Sequence, residues 1–231
     1  MRAMGDVTLL EREVYGMAEA ARLLGVPSTS TLRRWIDGYK KYPPVVRLEP
    51  TGSDLVTWGE FVEARYLAEY RNRHKIPLQR LRPAILALRE KFKVPYPLAH
   101  AAPYLDTGNR ELLLRLQEDA GLGHRLAPLV VVRNEQYYLA DPAESFIEKV
   151  EFGSSESGPV ERLYPLNKSQ PVVIDPLHSF GAPSVRGIRT ENLFELFQAG
   201  ESLEAIAEAY DLDSHDVEAA VRFESAPRTA A

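Results

Sequence analysis

Two short amphipathic helices joined by a glycine turn are predicted near the start of the chain. Residues 17–24 (MAEAARLL) carry apolar side chains at helical spacing, and a Gly-Val-Pro step ends that helix because proline cannot continue it. The second helix covers roughly residues 31–39 (TLRRWIDGY), with its apolar residues facing inward and Arg33 and Arg34 facing outward. This layout is typical of DNA-binding domains, although the same pattern also occurs in ordinary helical cores with solvated arginines.

A hairpin and two longer helices are predicted to follow. Residues 45–58 (VVRLEPTGSDLVTW) hold two β-rich runs around a Pro-Thr-Gly-Ser-Asp turn, which predicts a hairpin and therefore a winged helix. Thr57 and Glu60 have the spacing of a capping box, so the next helix opens there. Another apolar stripe predicts a helix over about residues 78–93, with Pro83 either bending it or marking its true start.

The rest of the chain is predicted to form a small central sheet followed by three short helices. Residues 94–168 are predicted to bridge the two ends, with two short strands within 128–140. In residues 169–225, three helical stretches each follow a capping residue. These caps are Thr190, Ser202 and Asp213. The predicted fold is mainly α with small β elements (α+β), with a winged helix-turn-helix domain at 14–93, the bridging segment, and a trihelical, helix-turn-helix-like domain at 169–225.

Charge divides the chain into a basic and an acidic half. Residues 1–100 hold 17 Lys+Arg against 11 Asp+Glu, whereas residues 101–231 hold 11 against 22. Residues 190–224 are the extreme case, with ten acids and one base. Because DNA phosphates attract the first half and repel the second, the basic helix-turn-helix suits DNA and the acidic region is better suited to binding protein.

Composition excludes several classes of function. The chain has no cysteine, so it has no disulfide, thiolate metal site or cysteine nucleophile. No apolar run approaches the length of about 18 residues that spans a membrane, and the acidic N-terminus does not match a signal peptide. We therefore expect a cytoplasmic protein, associated with the nucleoid when bound to DNA. The histidines lack ligand spacing and no catalytic motif is present, so we expect no metal, no cofactor and no enzymatic activity.

Motifs in the basic half add a family resemblance. The run YGMAEAARLLGVPSTSTLRRWI, the predicted wing and a helix opening at a threonine-aromatic step resemble the MerR-like winged-helix DNA-binding domains, over about residues 14–92. Trp35 departs from the usual tyrosine of that family, and no long dimerisation coiled coil follows the wing. The resemblance implies that the major groove is approached by Ser30, Arg33 and Arg34. It implies that phosphates near the wing are contacted by Lys40, Lys41 and Arg47.

Motifs in the acidic region are more specific. The runs VIDPLHSFGAPSVRG at 173–187 and TENLFELFQAGESLEAIAEAYDLDSHDVEAAVRFE at 190–224 look like the family named domain of unknown function four hundred and thirty-three, over about residues 170–225. Members that also have a MerR-like head resemble VapB-type antitoxins of bacterial toxin–antitoxin pairs. The implied partner is a VapC toxin, which is a PIN-domain ribonuclease.

Two arginines are candidates for binding such a toxin. A PIN-domain active site is a cluster of carboxylates that holds Mg²⁺, and an arginine that pairs with those carboxylates would disable it. Arg186 and Arg189 are the basic residues of the recurrent loop. They either bind the toxin in this way or pair with the acids of their own domain and brace the loop.

The leading interpretation is an antitoxin that represses its own operon and neutralises a toxin. We expect a homodimer, because one recognition helix reads too few base pairs for operator specificity. One alternative is a stand-alone MerR-like transcriptional regulator whose C-terminal half senses a small molecule, and another is a regulator whose C-terminal half only dimerises. The motifs of the acidic region favour the antitoxin.

Overall fold

The computed structural model describes residues 9–75, 77–105, 110–123, 127–133, 136–155 and 158–226. These residues divide into two compact units. The N-terminal unit comprises the residues up to Ile147 together with Phe152–Val160, and the C-terminal unit comprises Glu148–Glu151 and the residues from Glu161 onward. None of the described helices is long and apolar enough to cross a membrane.

The first two helices form the predicted helix-turn-helix. Helix α1 spans Met17–Leu24 and ends at Gly25, whose φ of +63° is the left-handed conformation that glycine adopts without strain. Helix α2 spans Thr29–Ile36, and the hydroxyl of Ser28 caps it by accepting a hydrogen bond of 3.1 Å from a backbone amide in the first turn. Helix α2 ends earlier than predicted because Gly38, with φ of +80°, leaves the helical path.

Strand pairing in this unit differs from the predicted hairpin. Strand β1 (Glu13–Gly16) pairs antiparallel with β2 (Leu55–Thr57), so β2 does not pair with the run that precedes it in the sequence. The amides of Val45 and Val46 instead donate to the carbonyl of Trp35, at 2.9 and 3.0 Å. The predicted hairpin is therefore wrong, because this run satisfies carbonyl groups that the end of α2 leaves free.

Helix α3 is the central element of the N-terminal unit. It spans Trp58–His74, it opens with both bonds of the predicted capping box between Thr57 and Glu60, and most of its residues are buried. Helix α4 spans Arg82–Phe92 with Pro83 in its first turn, so the proline marks the start of the helix. The remaining elements of the unit are α5 (Ala102–Leu105), α6 (Arg110–Asp119), the antiparallel strands β3 (Val130–Arg133) and β4 (Gln136–Leu139), and α7 (Asp141–Ile147).

An aromatic cluster joins the middle of the chain to α3. The ring of Tyr66 on α3 lies 6.1 Å from that of Tyr104 on α5 and 5.3 Å from that of Phe146 on α7. All three rings are buried. The indole nitrogen of Trp58 donates to the carbonyl of Val160 at 2.7 Å, which joins a distant part of the chain to the same core.

The C-terminal unit packs three helices against a short hairpin. Strands β5 (Val150–Phe152) and β6 (Val160–Leu163) pair where the chain passes between the units. The hairpin strands are β7 (Ser184–Val185) and β8 (Ile188–Arg189), and the helices are α8 (Thr190–Gln198), α9 (Leu203–Tyr210) and α10 (Ser214–Ser225). The core of the unit contains Val172, Val185, Leu193, Ile206, Val217 and Ala220. Helices with small antiparallel strand pairs confirm the predicted fold class.

The three predicted caps of these helices differ in what they do. Ser202 caps α9 as predicted, accepting a hydrogen bond of 3.1 Å from the amide of Ala205. Thr190 is the first residue of α8 rather than its cap, and its hydroxyl donates to the carboxylate of Glu224 at 2.5 Å. Asp213 stands at the cap position of α10 without a side-chain capping bond, because its carboxylate is engaged by Arg186.

Candidate functional site

Helix α2 presents its polar face to solvent. Ser30 and Arg34 are exposed, so both side chains are available to a DNA groove. Arg33 is half-buried, and its guanidinium forms an ion pair with Asp54 in the loop before β2. Contact between Arg33 and DNA requires that pair to open, so Arg34 is the better placed of the two predicted groove arginines.

A tight hairpin turn directly follows α2. The amides of Tyr39 and Tyr42 each donate to the carbonyl of the other residue at 2.9 Å, which leaves Lys40 and Lys41 at an exposed tip. A Cβ atom on Gly38 would lie 2.8 Å from the carbonyl oxygen of Tyr42, so no larger residue fits at the base of this turn. Both lysines that the family resemblance assigns to phosphate contact are therefore brought to one exposed turn beside the end of α2.

Two exposed tyrosine rings hold the cations of this region. The guanidinium carbon of Arg34 and the Nζ of Lys40 each lie 5.1 Å from the ring centroid of Tyr39, and the Nζ of Lys41 lies 5.6 Å from that of Tyr42. Cation–π contacts of this kind restrict a long side chain while its charge stays open to a phosphate. Neither tyrosine is a predicted site residue, although the Tyr-Lys-Lys-Tyr run places an aromatic residue beside each lysine.

Arg47 lies inside the unit rather than on its surface, with 7% exposure. Its guanidinium donates to both carboxylate oxygens of Glu60 at 2.7 and 3.1 Å, and to Asp37 at 2.9 Å. It also donates to the hydroxyl of Thr51 at 2.6 Å and to the carbonyl of Leu55 at 2.8 Å. The predicted phosphate contact of Arg47 is therefore corrected to a structural role, because contact with DNA would take the guanidinium away from the buried carboxylate of Glu60 and the half-buried carboxylate of Asp37.

Asp37 completes this network at the end of α2. Its carboxylate accepts hydrogen bonds from the amides of Thr51 at 2.6 Å and Gly52 at 3.0 Å. Burial alone raises the pKa of a carboxyl group, but these hydrogen bonds and the Arg47 guanidinium outweigh burial and hold the pKa of Asp37 below its ordinary value. The charged carboxylate fixes the loop before β2 against the end of α2.

A second buried ion pair joins α3 to α4. Arg89 donates to the carboxylate of Glu63 at 3.2 Å and also to the carbonyl of Val46, and Glu63 accepts from the amide of Leu98 at 3.1 Å. Burial is the largest effect on Glu63 and raises its pKa to about 7, against the opposing charge of Arg89. The arrangement places a carboxyl group with a pKa near neutral in the buried contact between α3 and α4.

In the C-terminal unit, Asp175 organises the loop that carries the Phe-Gly-Ala-Pro motif. Its carboxylate accepts from the amide of Leu177 at 2.8 Å and from Arg162 at 3.0 Å, and it lies 2.9 Å from Nδ1 of His178. Burial raises the pKa of Asp175, but the bonds from Arg162 and Leu177 outweigh it and hold this pKa below its ordinary value. These contacts agree with a structural capping role, and an adjoining cavity of about 440 Å³ is lined in part by Arg162, Lys168 and His178.

The two arginines that are predicted to bind a toxin have different surroundings. Arg186 opens the two-residue turn of the β7–β8 hairpin, where both residues have positive φ as a type I′ turn requires. Its guanidinium pairs with Asp213 at 3.0 Å and Asp216 at 2.7 Å, which is the bracing arrangement. Arg189 is exposed, and within the described residues it makes a long hydrogen bond of 3.5 Å to the carbonyl of Ser179 and no ion pair.

Two segments of the chain match known families. Residues 13–85 match the family described as "Putative DNA-binding HTH domain", which covers α1, α2, the following loop and α3. Residues 172–223 match the family described as "Protein of unknown function (DUF433)", which confirms the similarity predicted from the motifs of the acidic region. The fold and the site thus define a DNA-binding helix-turn-helix protein with a second, DUF433 domain.

One relative and one solved structure extend over nearly the whole chain. The protein is 38% identical over 232 residues to "Uncharacterized protein Rv2308" of Mycobacterium tuberculosis, which covers 96% of this chain and 95% of the relative. The chain therefore belongs to the family of Rv2308. The X-ray crystal structure of Rv2018 from Mycobacterium tuberculosis is similar with a TM-score of 0.71 and 29% identity, over 90% of this chain and 97% of that one.

Proposed function

We propose that the protein is the antitoxin of a type II, VapBC-type toxin–antitoxin pair. In this proposal the N-terminal unit represses its own operon by binding the operator, and the C-terminal unit binds and neutralises a PIN-domain ribonuclease toxin. The observation that carries the proposal is the combination, in one chain, of a basic helix-turn-helix with an acidic DUF433 domain. Opposite charges suit the two units to different partners, DNA and protein.

The DNA-binding part of the proposal rests on one exposed region of the N-terminal unit. Ser30 and Arg34 on α2 face solvent, and Lys40 and Lys41 lie at the turn that follows. Side chains of the helix read base edges, and lysines that neutralise phosphates supply most of the affinity. Arg33 joins the groove contact when its pair with Asp54 opens. The operator complex contains a homodimer, because one helix reads too few base pairs.

The toxin-binding part of the proposal rests on Arg189. An arginine without a carboxylate partner can pair with the carboxylates of a PIN-domain site without first losing an internal ion pair. Arg189 meets that condition among the described residues, whereas Arg186 is paired with Asp213 and Asp216. We therefore propose Arg189 rather than Arg186 as the toxin contact.

The protein is proposed to act by binding alone, in the cytoplasm and on the nucleoid, without a cofactor. The cluster that most resembles a catalytic one is Asp175 with His178. The Asp175 carboxylate is engaged by Arg162 and the amide of Leu177, so it is poorly suited to accept a proton from a substrate.

A second candidate is a stand-alone MerR-like regulator whose C-terminal unit senses a small molecule or dimerises. The cavity of about 440 Å³ beside Asp175 favours this candidate. Its cationic lining residues, Arg162, Lys168 and His178, suit an anionic ligand.

Affinity purification of the tagged full-length protein from its native host, at moderate salt, separates the two candidates. The antitoxin proposal expects a PIN-domain nuclease in stoichiometric amount, identified by mass spectrometry, whose cleavage of RNA the protein inhibits. Recovery of operator DNA without such a nuclease would contradict the antitoxin and favour the stand-alone regulator.

A further inference from the structure

The loop before β7 holds three consecutive residues in the left-handed backbone conformation. Ser179, Phe180 and Gly181 have φ of +49°, +55° and +76°. Glycine adopts this conformation without strain, whereas the Cβ atoms of serine and phenylalanine approach the backbone too closely there. Such strain persists only where the surrounding structure imposes it.

Hydrogen bonds hold this loop both internally and against the neighbouring hairpin. Within the loop, the amide of Gly181 donates to the carbonyl of His178 at 2.9 Å. Toward the hairpin, the hydroxyl of Ser179 donates to the carbonyl of Gly187 at 3.2 Å, and Arg189 donates to the carbonyl of Ser179 at 3.5 Å. The loop is therefore tied to the β7–β8 hairpin and has a fixed shape.

This fixed loop presents apolar side chains to solvent. Phe180 is 81% exposed and Leu177 is 61% exposed, the highest values among the large apolar residues in the described part of the chain. Phe180 thus combines backbone strain with an aromatic ring in water, and neither stabilises the unit that carries it. Because an exposed ring gains free energy when a partner covers it, Phe180 is a candidate binding anchor.

The same region differs in charge from the helices that follow it. Residues 177–189 contain Arg186, Arg189 and no carboxylate, whereas residues 190–224 contain ten acids and one base. Because Arg186 is paired with α10, Arg189 is the cation beside the Phe180 loop that a partner can reach. A partner surface that bears carboxylates is attracted to this region and repelled by the helices.

We infer that Phe180 is the residue by which the C-terminal unit anchors its protein partner, with Leu177 extending the apolar contact and Arg189 supplying the ionic one. The partner surface that fits has an apolar pocket beside a cluster of carboxylates. The inference rests on the proposed function, in which those carboxylates belong to the metal site of a PIN-domain nuclease. It adds an apolar anchor and assigns the binding surface to the loop rather than to the helices.

The strained geometry gives the anchor a physical advantage. A loop whose shape is held by its own hydrogen bonds loses less conformational entropy on binding than a loose one, and a phenylalanine ring loses only two side-chain torsions. Truncation of such an interface hot spot raises a dissociation constant by at least about 30-fold.

The test measures binding of the full-length protein to the PIN-domain nuclease that co-purifies with it, identified before use. Phe180→Gly removes the ring and relieves the left-handed strain, so the thermal midpoint should stay level or rise while Kd rises at least about 30-fold. Phe197→Ala is the matched control, since Phe197 on α8 is also an exposed aromatic residue, at 41%. Its Kd should stay within about threefold of the unaltered protein, because most surface contacts carry little binding energy.

The ionic contact is tested in the same assay. Arg189→Ala should raise Kd by about tenfold, as expected when one charged residue is removed from an interface. Arg222→Ala is its control, because Arg222 pairs with Glu218 within α10, outside residues 177–189, and should leave Kd unchanged.

Weakened binding by Phe180→Gly with an intact thermal midpoint, together with hydrogen-exchange protection of residues 177–182 in the complex, supports the inference. Unchanged affinity of Phe180→Gly, or an equal weakening in Phe197→Ala, overturns the anchor and leaves the proposed antitoxin function standing. Failure of the unaltered protein to bind any PIN-domain nuclease overturns both, because the loop then lacks the partner assigned to it.

Discussion

The guanidinium of Arg47 links separate elements of the N-terminal unit through one buried and one half-buried carboxylate. Asp37 belongs to the end of α2 and Glu60 to the first turn of α3. Desolvation of these charges is unfavourable, and only their mutual hydrogen bonds offset it. Removal of one member should therefore lower the free energy of unfolding by more than the intact network contributes to it, because the remaining charges lose their partner.

Arg47→Ala should lower the free energy of unfolding by about 3–5 kcal/mol, the range for breaking a buried ion pair. Urea denaturation measures this decrease. Arg33→Ala is the control, because its pair with Asp54 is exposed and should contribute less than about 1 kcal/mol. A decrease for Arg47→Ala no larger than that for Arg33→Ala would contradict the structural role of Arg47.

Glu63 gives the stability a pH dependence of defined sign. Its folded pKa of about 7 lies above the ordinary value of 4.5, so the folded state favours the protonated carboxyl. That contribution is fully present below the ordinary pKa and is lost as the pH rises through the folded pKa. The stability that Glu63 contributes should therefore fall between acid and neutral pH.

Glu63→Gln removes this titration while keeping a similar shape. The free energy of unfolding of the unaltered protein, relative to the variant, should fall by about 2–3 kcal/mol between about pH 5 and pH 8.5. Urea denaturation at several pH values measures the difference. If the difference stays constant with pH, Glu63 does not titrate in this range.

At the scale of elements, α2 and the turn that follows it are proposed to act as one DNA-binding edge. Gly38 permits the sharp change of direction after the helix, and the Tyr39 ring contacts cations from both sides of that change. In this proposal the helix supplies side chains that read bases, and the turn supplies charges that contact phosphates. The two parts should therefore respond differently to mutation.

Replacing both Lys40 and Lys41 with alanine should weaken DNA binding on all sequences alike. The slope of log affinity against log salt concentration should become shallower by about two, because two lysines no longer neutralise a phosphate each. Arg34→Ala should instead relax sequence preference. Lys93→Ala serves as the control, since Lys93 pairs with Glu90 at the end of α4, outside the helix-turn-helix. Gel-shift titrations over a salt series measure both quantities, and an equal change of slope in Lys93→Ala would contradict this placement.

The helices are largely predictable from the sequence, and the strand pairing is not. Periodic apolar residues, the Thr57–Glu60 capping box and the Ser202 cap are local signals, and the structure has each of them. Strand β2 is three residues long, so its own pattern holds too little information to choose between partners. Its pairing with β1 depends on the whole helix-turn-helix that separates them.

The same limit applies to the candidate site. The outward position of Arg34 follows from helical spacing, whereas the place of Lys40 beside the helix is implied by the resemblance to MerR-like domains. The burial of Arg47 follows from neither, because it depends on Asp37 and Glu60 meeting around it in space. The exposure of Phe180 does not follow either, since an apolar residue in a Gly/Pro-rich loop is more often predicted to pack inward.

At the scale of the molecule, each unit has buried residues of its own and should unfold as a separate cooperative step. Two compact units in one chain depart from simple two-state behaviour. Leu193→Ala opens a cavity in the core of the C-terminal unit. It should lower the free energy of unfolding of that unit alone, by about 2–5 kcal/mol.

Arg47→Ala should shift only the transition of the N-terminal unit. Differential scanning calorimetry of the full-length variants resolves the two transitions. A single transition that moves equally in both variants would show that the units unfold together.

The chain passes from the N-terminal unit to the C-terminal unit and back, and this path affects how a protease would degrade the protein. Glu148–Glu151 belong to the C-terminal unit, and Phe152–Val160 return to the N-terminal one. A protease that cuts once between Gly153 and Gly158 leaves each fragment contributing residues to both folds. The two fragments should therefore stay associated until a second cut, or the unfolding of one unit, separates them.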